Sequence, residues 1–132
     1  MRTHDWPERL QAFFQSRRSM PFSWGSNDCA LFAADAVLAQ TGEDPAADHR
    51  GYADERTAIK KIQSAGGLRE LVVNAGLRVE RVGFAQRGWV SLALMEGRET
   101  LGVVVGNGMW AAPGANGMEQ RPMSEVIAVF AI

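Results

Sequence analysis

The chain reads as an α+β protein, with helices in its first half and an antiparallel sheet in its second. Three observations predict this. As far as Asn74, apolar residues recur at helical spacing. After Gly76 they gather into short, partly β-branched runs. Those runs are joined by turn signals, the strongest being Gly106-Asn107-Gly108.

Thr3 to Arg18 reads as an amphipathic helix, with Trp6, Leu10, Phe13 and Phe14 on one face and Pro7 in the first turn. Glu8 and Arg17-Arg18 sit at the ends that suit their charges. Ser19 to Ser23 is a loop. Cys29 to Gln40 is the second helix, with Leu31, Ala34, Val37 and Leu38 as its inward stripe and Thr41-Gly42 as its stop. A polar connection, Gly42 to Gly51, leads to Tyr52, which anchors its end. Ala53 to Ser64 is helical, with Ala58, Ile59 and Ile62 on one side, and Gly66-Gly67 breaks it. Leu68 to Asn74 is a short helix ended by Ala75-Gly76.

Strands follow. Leu77, Val79 and Val82 suggest a short one, and Trp89 to Met95 a better one, before the turn Glu96-Gly97-Arg98. Leu101 to Val105 is next. Met109 to Ala112 and Met118 to Arg121 flank a five-residue connection, Pro113 to Gly117. Val126 to Ile132 is apolar throughout: a central strand covered on both faces, or one that meets another subunit.

With 132 residues, no internal repeat and no linker, one domain over residues 1–132 is expected. A net charge of −1 gives no electrostatic case for nucleic acid or an anionic membrane. The single cysteine excludes an internal disulfide. Met1 to Leu10 lacks the apolar segment of a secretory signal, and no apolar run is long enough to span a membrane.

Trp24-Gly25-Ser26-Asn27-Asp28-Cys29 carries that cysteine to the start of the second helix. Asp28 is positioned to cap the helix through its carboxylate. Cys29 then lies in the first turn, where the positive end of the helix dipole predicts a lowered thiol pKa and a nucleophile. The alternative is a small buried hydrophobe.

Three stretches together resemble the NlpC-type cell-wall peptidases, a papain-like family. Phe22-Ser23-Trp24-Gly25-Ser26-Asn27-Asp28-Cys29 is similar to that family's tyrosine-x-tryptophan-glycine approach to Asp-Cys. Thr100-Leu101-Gly102-Val103-Val104-Val105-Gly106-Asn107-Gly108 resembles its histidine-headed strand and turn, and Trp110-Ala111-Ala112-Pro113-Gly114 its next strand. The resemblance extends over about three-quarters of the chain. It implies a papain-like fold, with the cysteine helix packed on an antiparallel sheet. Small proteins of phage and prophage tail modules share the Trp-Gly-x-x-Asp-Cys start and a connection like Gly42-Glu43-Asp44.

The departures bear on activity. The family's general base is a histidine where this chain has Thr100, and its orienting residue falls at Ala111. The family's Gly-Asp ahead of the sheet is Gly88-Trp89 here. Only Asp28 and Cys29 match the catalytic set. Threonine cannot take the thiol proton at neutral pH or return it to a leaving amine, and losing general acid–base catalysis lowers a rate by about 10²–10⁴-fold. His4 and His49 are the only imidazoles, and both read first as solvated surface residues. No metal or cofactor is expected, since one cysteine and two distant histidines form no ligand cluster, and Asp44, Asp48 and Asp54 read as turn carboxylates. Trp24, Trp89 and Trp110 are candidates to line a binding groove before Cys29, with core positions as the alternative for each.

Two functions are therefore expected in competition. One is a degenerate NlpC-like domain serving as a structural or binding protein of a phage tail, at the tip or in assembly. Its partners would be other tail proteins, with peptidoglycan as a further contact. It would reside in the host cytoplasm and then in the virion. The other is a cysteine peptidase or amidase acting on peptidoglycan stem peptides, with Cys29 as nucleophile.

Overall fold

A computed structural model describes residues 1–132. Four helices come first: α1 (Trp6–Arg17), α2 (Cys29–Thr41), α3 (Glu55–Ala65) and α4 (Leu68–Asn74). Six strands follow: β1 (Arg78–Glu80), β2 (Val90–Met95), β3 (Arg98–Gly106), β4 (Met109–Gly114), β5 (Gly117–Pro122) and β6 (Val126–Ala131). They form one antiparallel sheet in the order β1-β6-β2-β3-β4-β5. The expected α+β architecture is the one observed. No helix is long and apolar enough to cross a membrane.

Period-two alternation sends each strand's side chains to two faces. On one face, Val90, Leu92, Leu101, Ala128 and Phe130 pack on Ala33 and Val37 of α2 and on Leu68 and Val72 of α4. Val103 and Ala111 continue that face beneath Leu10, Phe13 and Phe14 of α1 and Phe32 and Ala36 of α2. The other face gathers Ala93, Val104, Trp110, Ala112 and Val129 with Trp89. Val82 and Met123, from two 3-10 turns, help to close it.

The second helix is buried well beyond its expected stripe. Phe32, Ala33 and Ala36 are buried along with Leu31, Ala34 and Val37, while Leu38 is 37% exposed. Alanine-rich faces let α1 and the sheet both approach α2 closely. Gln40 anchors its far end, where Nε2 donates to the Ala36 carbonyl (3.1 Å) and the Gly88 carbonyl (2.9 Å).

Element boundaries shift for local reasons. The first helix starts at Trp6 rather than Thr3, because the Thr3 N–H donates to the Gln40 carbonyl at 2.8 Å and its hydroxyl to Asp5 at 2.8 Å. The third starts at Glu55, where the Asp54 carboxylate accepts from the Thr57 N–H at 2.8 Å. Glu96 and Gly97 adopt positive φ (51° and 78°), making a two-residue turn that extends the ladder to Met95↔Arg98. The β4–β5 turn is likewise shorter than the expected five residues, since Gly114 pairs with Gly117. The last strand lies between β1 and β2, with Val129 and Phe130 fully buried. Of its two expected roles, the structure supports the interior strand.

Candidate functional site: a groove at the head of α2

The loop before α2 is fixed at both ends. Ser23 and Asn27 exchange backbone hydrogen bonds of 3.2 and 2.8 Å, closing Trp24-Gly25-Ser26 into a tight turn. The buried Asn27 side chain donates to the carbonyls of Met20 (3.1 Å) and Pro21 (3.0 Å) and accepts from Arg17 (3.0 Å). Gly25 has φ +81°, and a Cβ there would collide with the Tyr52 carbonyl, so the turn and the chain at Tyr52 meet only because this residue is glycine.

Asp28 is buried and fully used. Its Oδ1 accepts from the Leu31 N–H at 2.9 Å, the expected helix cap. Its Oδ2 accepts from the Gly25 N–H at 3.1 Å and from the Tyr52 hydroxyl. Two residues before Tyr52, Arg50 joins a chain of ion pairs. Arg17 meets Asp35 at 2.6 Å, Asp35 meets Arg50 at 2.5 Å, and Arg50 meets Asp44 at 2.7 Å. Arg50 holds the Asp44 carboxyl below its ordinary range. Burial, reinforced by the Asp28 carboxylate, pushes the Tyr52 phenol up, so its hydroxyl stays a proton donor.

Cys29 is the first residue of α2, as expected, but its thiol pKa moves the other way. The residue is half-buried, and desolvation of its sulfur pushes the pKa up to about 11, with the neighbouring Asp28 carboxylate adding to the rise. The Leu101 amide and the helix N–H groups of Ala30 and Cys29 pull downward and are outweighed. The expectation of a lowered pKa counted the helix terminus and omitted desolvation, which is the larger effect here.

A cavity of about 840 Å³ opens in front of this thiol. Trp24, Asp28, Cys29 and Thr100 all line it. Trp89 and Trp110 do not, being 8% and 0% exposed on the sheet's far face. That corrects two of the three expected groove aromatics. Ala111 does not line the cavity either. Its side chain lies under α1 and α2, and the cavity wall is made by its neighbours Ala112 and Pro113. A polar residue at 111 would enter the core, so this position puts no orienting group on the cavity wall. His4 lies outside the cavity, whereas His49 lines it from the polar connection.

The chain matches the sequence model of a family described as a domain of unknown function, DUF6950, over residues 1–132. It belongs to that family. No curated protein matches it. Among solved structures it is similar to the NlpC/p60 domain of the peptidoglycan hydrolase SagA. The two are 15% identical with a TM-score of 0.62, over 95% of this chain and 97% of that one. The likeness is one of fold, and the expected papain-like, NlpC-type architecture is the one this DUF6950 chain adopts.

The site residue that sequence reasoning missed is Tyr52. It was legible only as the anchor of a polar connection, although it is the chain's only tyrosine and directly follows a glycine of positive φ. Its bond to Asp28 joins residues 24 positions apart, and no local pattern encodes that.

The raised thiol pKa has a measurable consequence for the DUF6950 chain. The folded state holds the Cys29 proton more tightly than an unfolded chain, whose thiol titrates near 9.0. The stabilisation from a neutral thiol is complete below that pH and is lost as pH rises toward about 11. Urea midpoints should therefore fall between pH 9 and 11 more steeply in the wild type than in Cys29→Ala. Parallel curves would show that folding does not raise the thiol pKa.

Proposed function

We propose that this chain is a non-hydrolytic NlpC/p60-fold domain, working as a structural or binding component of a phage or prophage tail at the tip or in assembly. The observation that carries the reading is the state of Cys29. Burial raises its pKa, and the position where the family carries its general base is Thr100, which cannot carry that proton at neutral pH. The tail assignment is supported by the resemblance of the Trp24–Cys29 approach to small tail-module proteins.

One observation favours the competing reading, a cysteine peptidase or amidase acting on peptidoglycan. His49 lines the same cavity as Cys29. Against it, His49 makes no hydrogen bond to the sulfur, and it also borders a shallow depression beside Lys60, Ser64 and Asn74. Incubation with purified peptidoglycan decides between the two. Wild type, Cys29→Ala and His49→Ala should release no more soluble peptide than buffer alone. Release by the wild type that is lost in both variants would establish the hydrolase. Isolation of virions or tail intermediates tests location, and absence of the chain from both would refute the tail role.

A further inference from the structure

We propose that the groove before Cys29 takes an extended peptide segment of a partner protein, with a large apolar side chain near α3 and a basic side chain near the β2–β3 turn. The proposal rests on the reading of this groove as a contact surface rather than a cleavage site.

The apolar end follows from α3. Ala58 is its only buried residue. Ile59 stands 38% exposed and, with the half-buried Ile62, lines the cavity together with Leu71 and Leu77 across from it. Ile62 packs on the core beneath it, so Ile59 is the apolar residue of this face that the open cavity leaves uncovered. The volume, about 840 Å³, is within the roughly 300–1,000 Å³ of ordinary ligand sites.

The choice of a peptide follows from an open strand edge. The β3–β4 ladder begins only at Val103↔Ala111, so Glu99, Thr100 and Leu101 pair with β2 alone. Thr100 and Leu101 line the cavity, and Pro113 across from them has no N–H to offer. Apart from the Leu101 N–H, which is turned to the Cys29 sulfur, backbone groups on such an edge suit a strand added from outside.

The sign of the occupant's charge follows from the carboxylates at that end. Glu96, Glu99 and Glu119 line the cavity without ion-pair partners; Arg98 is the unpaired cation next to them in the β2–β3 turn, and the cavity's other unpaired cation, Lys61, belongs to α3. Arg121 is engaged by Glu125 at 2.6 Å. This surplus of carboxylate selects a cation and disfavours an acidic segment.

The test uses the full chain and short, end-capped, fluorescent peptides that carry Leu or Ala at one position and Lys or Glu at another, at several spacings. Anisotropy should show the best Leu/Lys peptide binding about ten-fold more tightly than its Leu/Glu and Ala/Lys counterparts. The exposed triple variant Glu96→Gln, Glu99→Gln, Glu119→Gln should lose the preference for Lys and keep that for Leu. Equal binding of Lys and Glu peptides, indifference to Leu, or no binding at all would overturn the proposal. So would sedimentation of the chain as a dimer that peptide does not dissociate, since a second copy would then fill the groove. Mass spectrometry of the bound probe separates the two readings. A cleaved probe refutes the non-hydrolytic reading and leaves the occupant standing. An intact probe that fails to bind refutes the occupant alone.

Discussion

Replacing Asp28 by alanine is expected to destabilise the fold by about 4 kcal/mol and lower its thermal midpoint by roughly 14 °C. Three donors converge on this one buried carboxylate: the Leu31 N–H, the Gly25 N–H and the Tyr52 hydroxyl. Loss of the cap alone costs about 1 kcal/mol. The two remaining donors, both half-buried, would lose a charged acceptor, at about 1.5–3 kcal/mol each. Asp28→Asn keeps an acceptor for the cap and should show about half the effect. Circular dichroism melting curves measure both. A drop no larger than that of an ordinary cap would mean that Asp28 closes the helix without tying Tyr52 and the Trp24 turn to it.

Trp110→Ala should be comparably severe, about 3–5 kcal/mol, but for a different reason. The indole is fully buried on the face of the sheet away from α1 and α2. It lies over Gly102, where an added Cβ would come within 2.5 Å of the ring. Truncation empties a space that only the 3-10 turns and neighbouring strands border, and these cannot collapse into it without breaking the ladder. Urea unfolding gives the loss. The alkylation rate of Cys29 in the still-folded fraction should be unchanged, because the indole does not border the groove. A change in that rate would put Trp110 back among the groove residues.

These two substitutions also mark what the sequence made legible. Asp28 could be read as a cap because capping is local: a short polar side chain, a helix behind it and an N–H three residues on. Helix α4 was legible to the residue, since Gly66-Gly67 and Gly76 bracket it. Face assignment was less legible, because Trp110 and Ala111 are adjacent and alternation decides which side each takes. That alternation depends on the register with β3, and the register shifts at a bulge between Val104 and Gly106. The thiol pKa was misread because a helix terminus is visible in sequence, whereas the depth of the wall around it comes from α3, α4 and β3. Tyr52 is not legible as a site residue because its tie to the site is a bond to Asp28, 24 residues away in sequence.

The central claim is that nothing in this molecule draws the proton from Cys29 at neutral pH. Its most direct test is the rate of iodoacetamide alkylation of the native chain across pH 5 to 12, since only the thiolate reacts. The rate should climb through the alkaline range to a midpoint near 11, identically in wild type and His49→Ala. A midpoint near or below neutrality that moves upward when His49 is removed would show a working thiolate–imidazole pair, and would make this chain a peptidase after all.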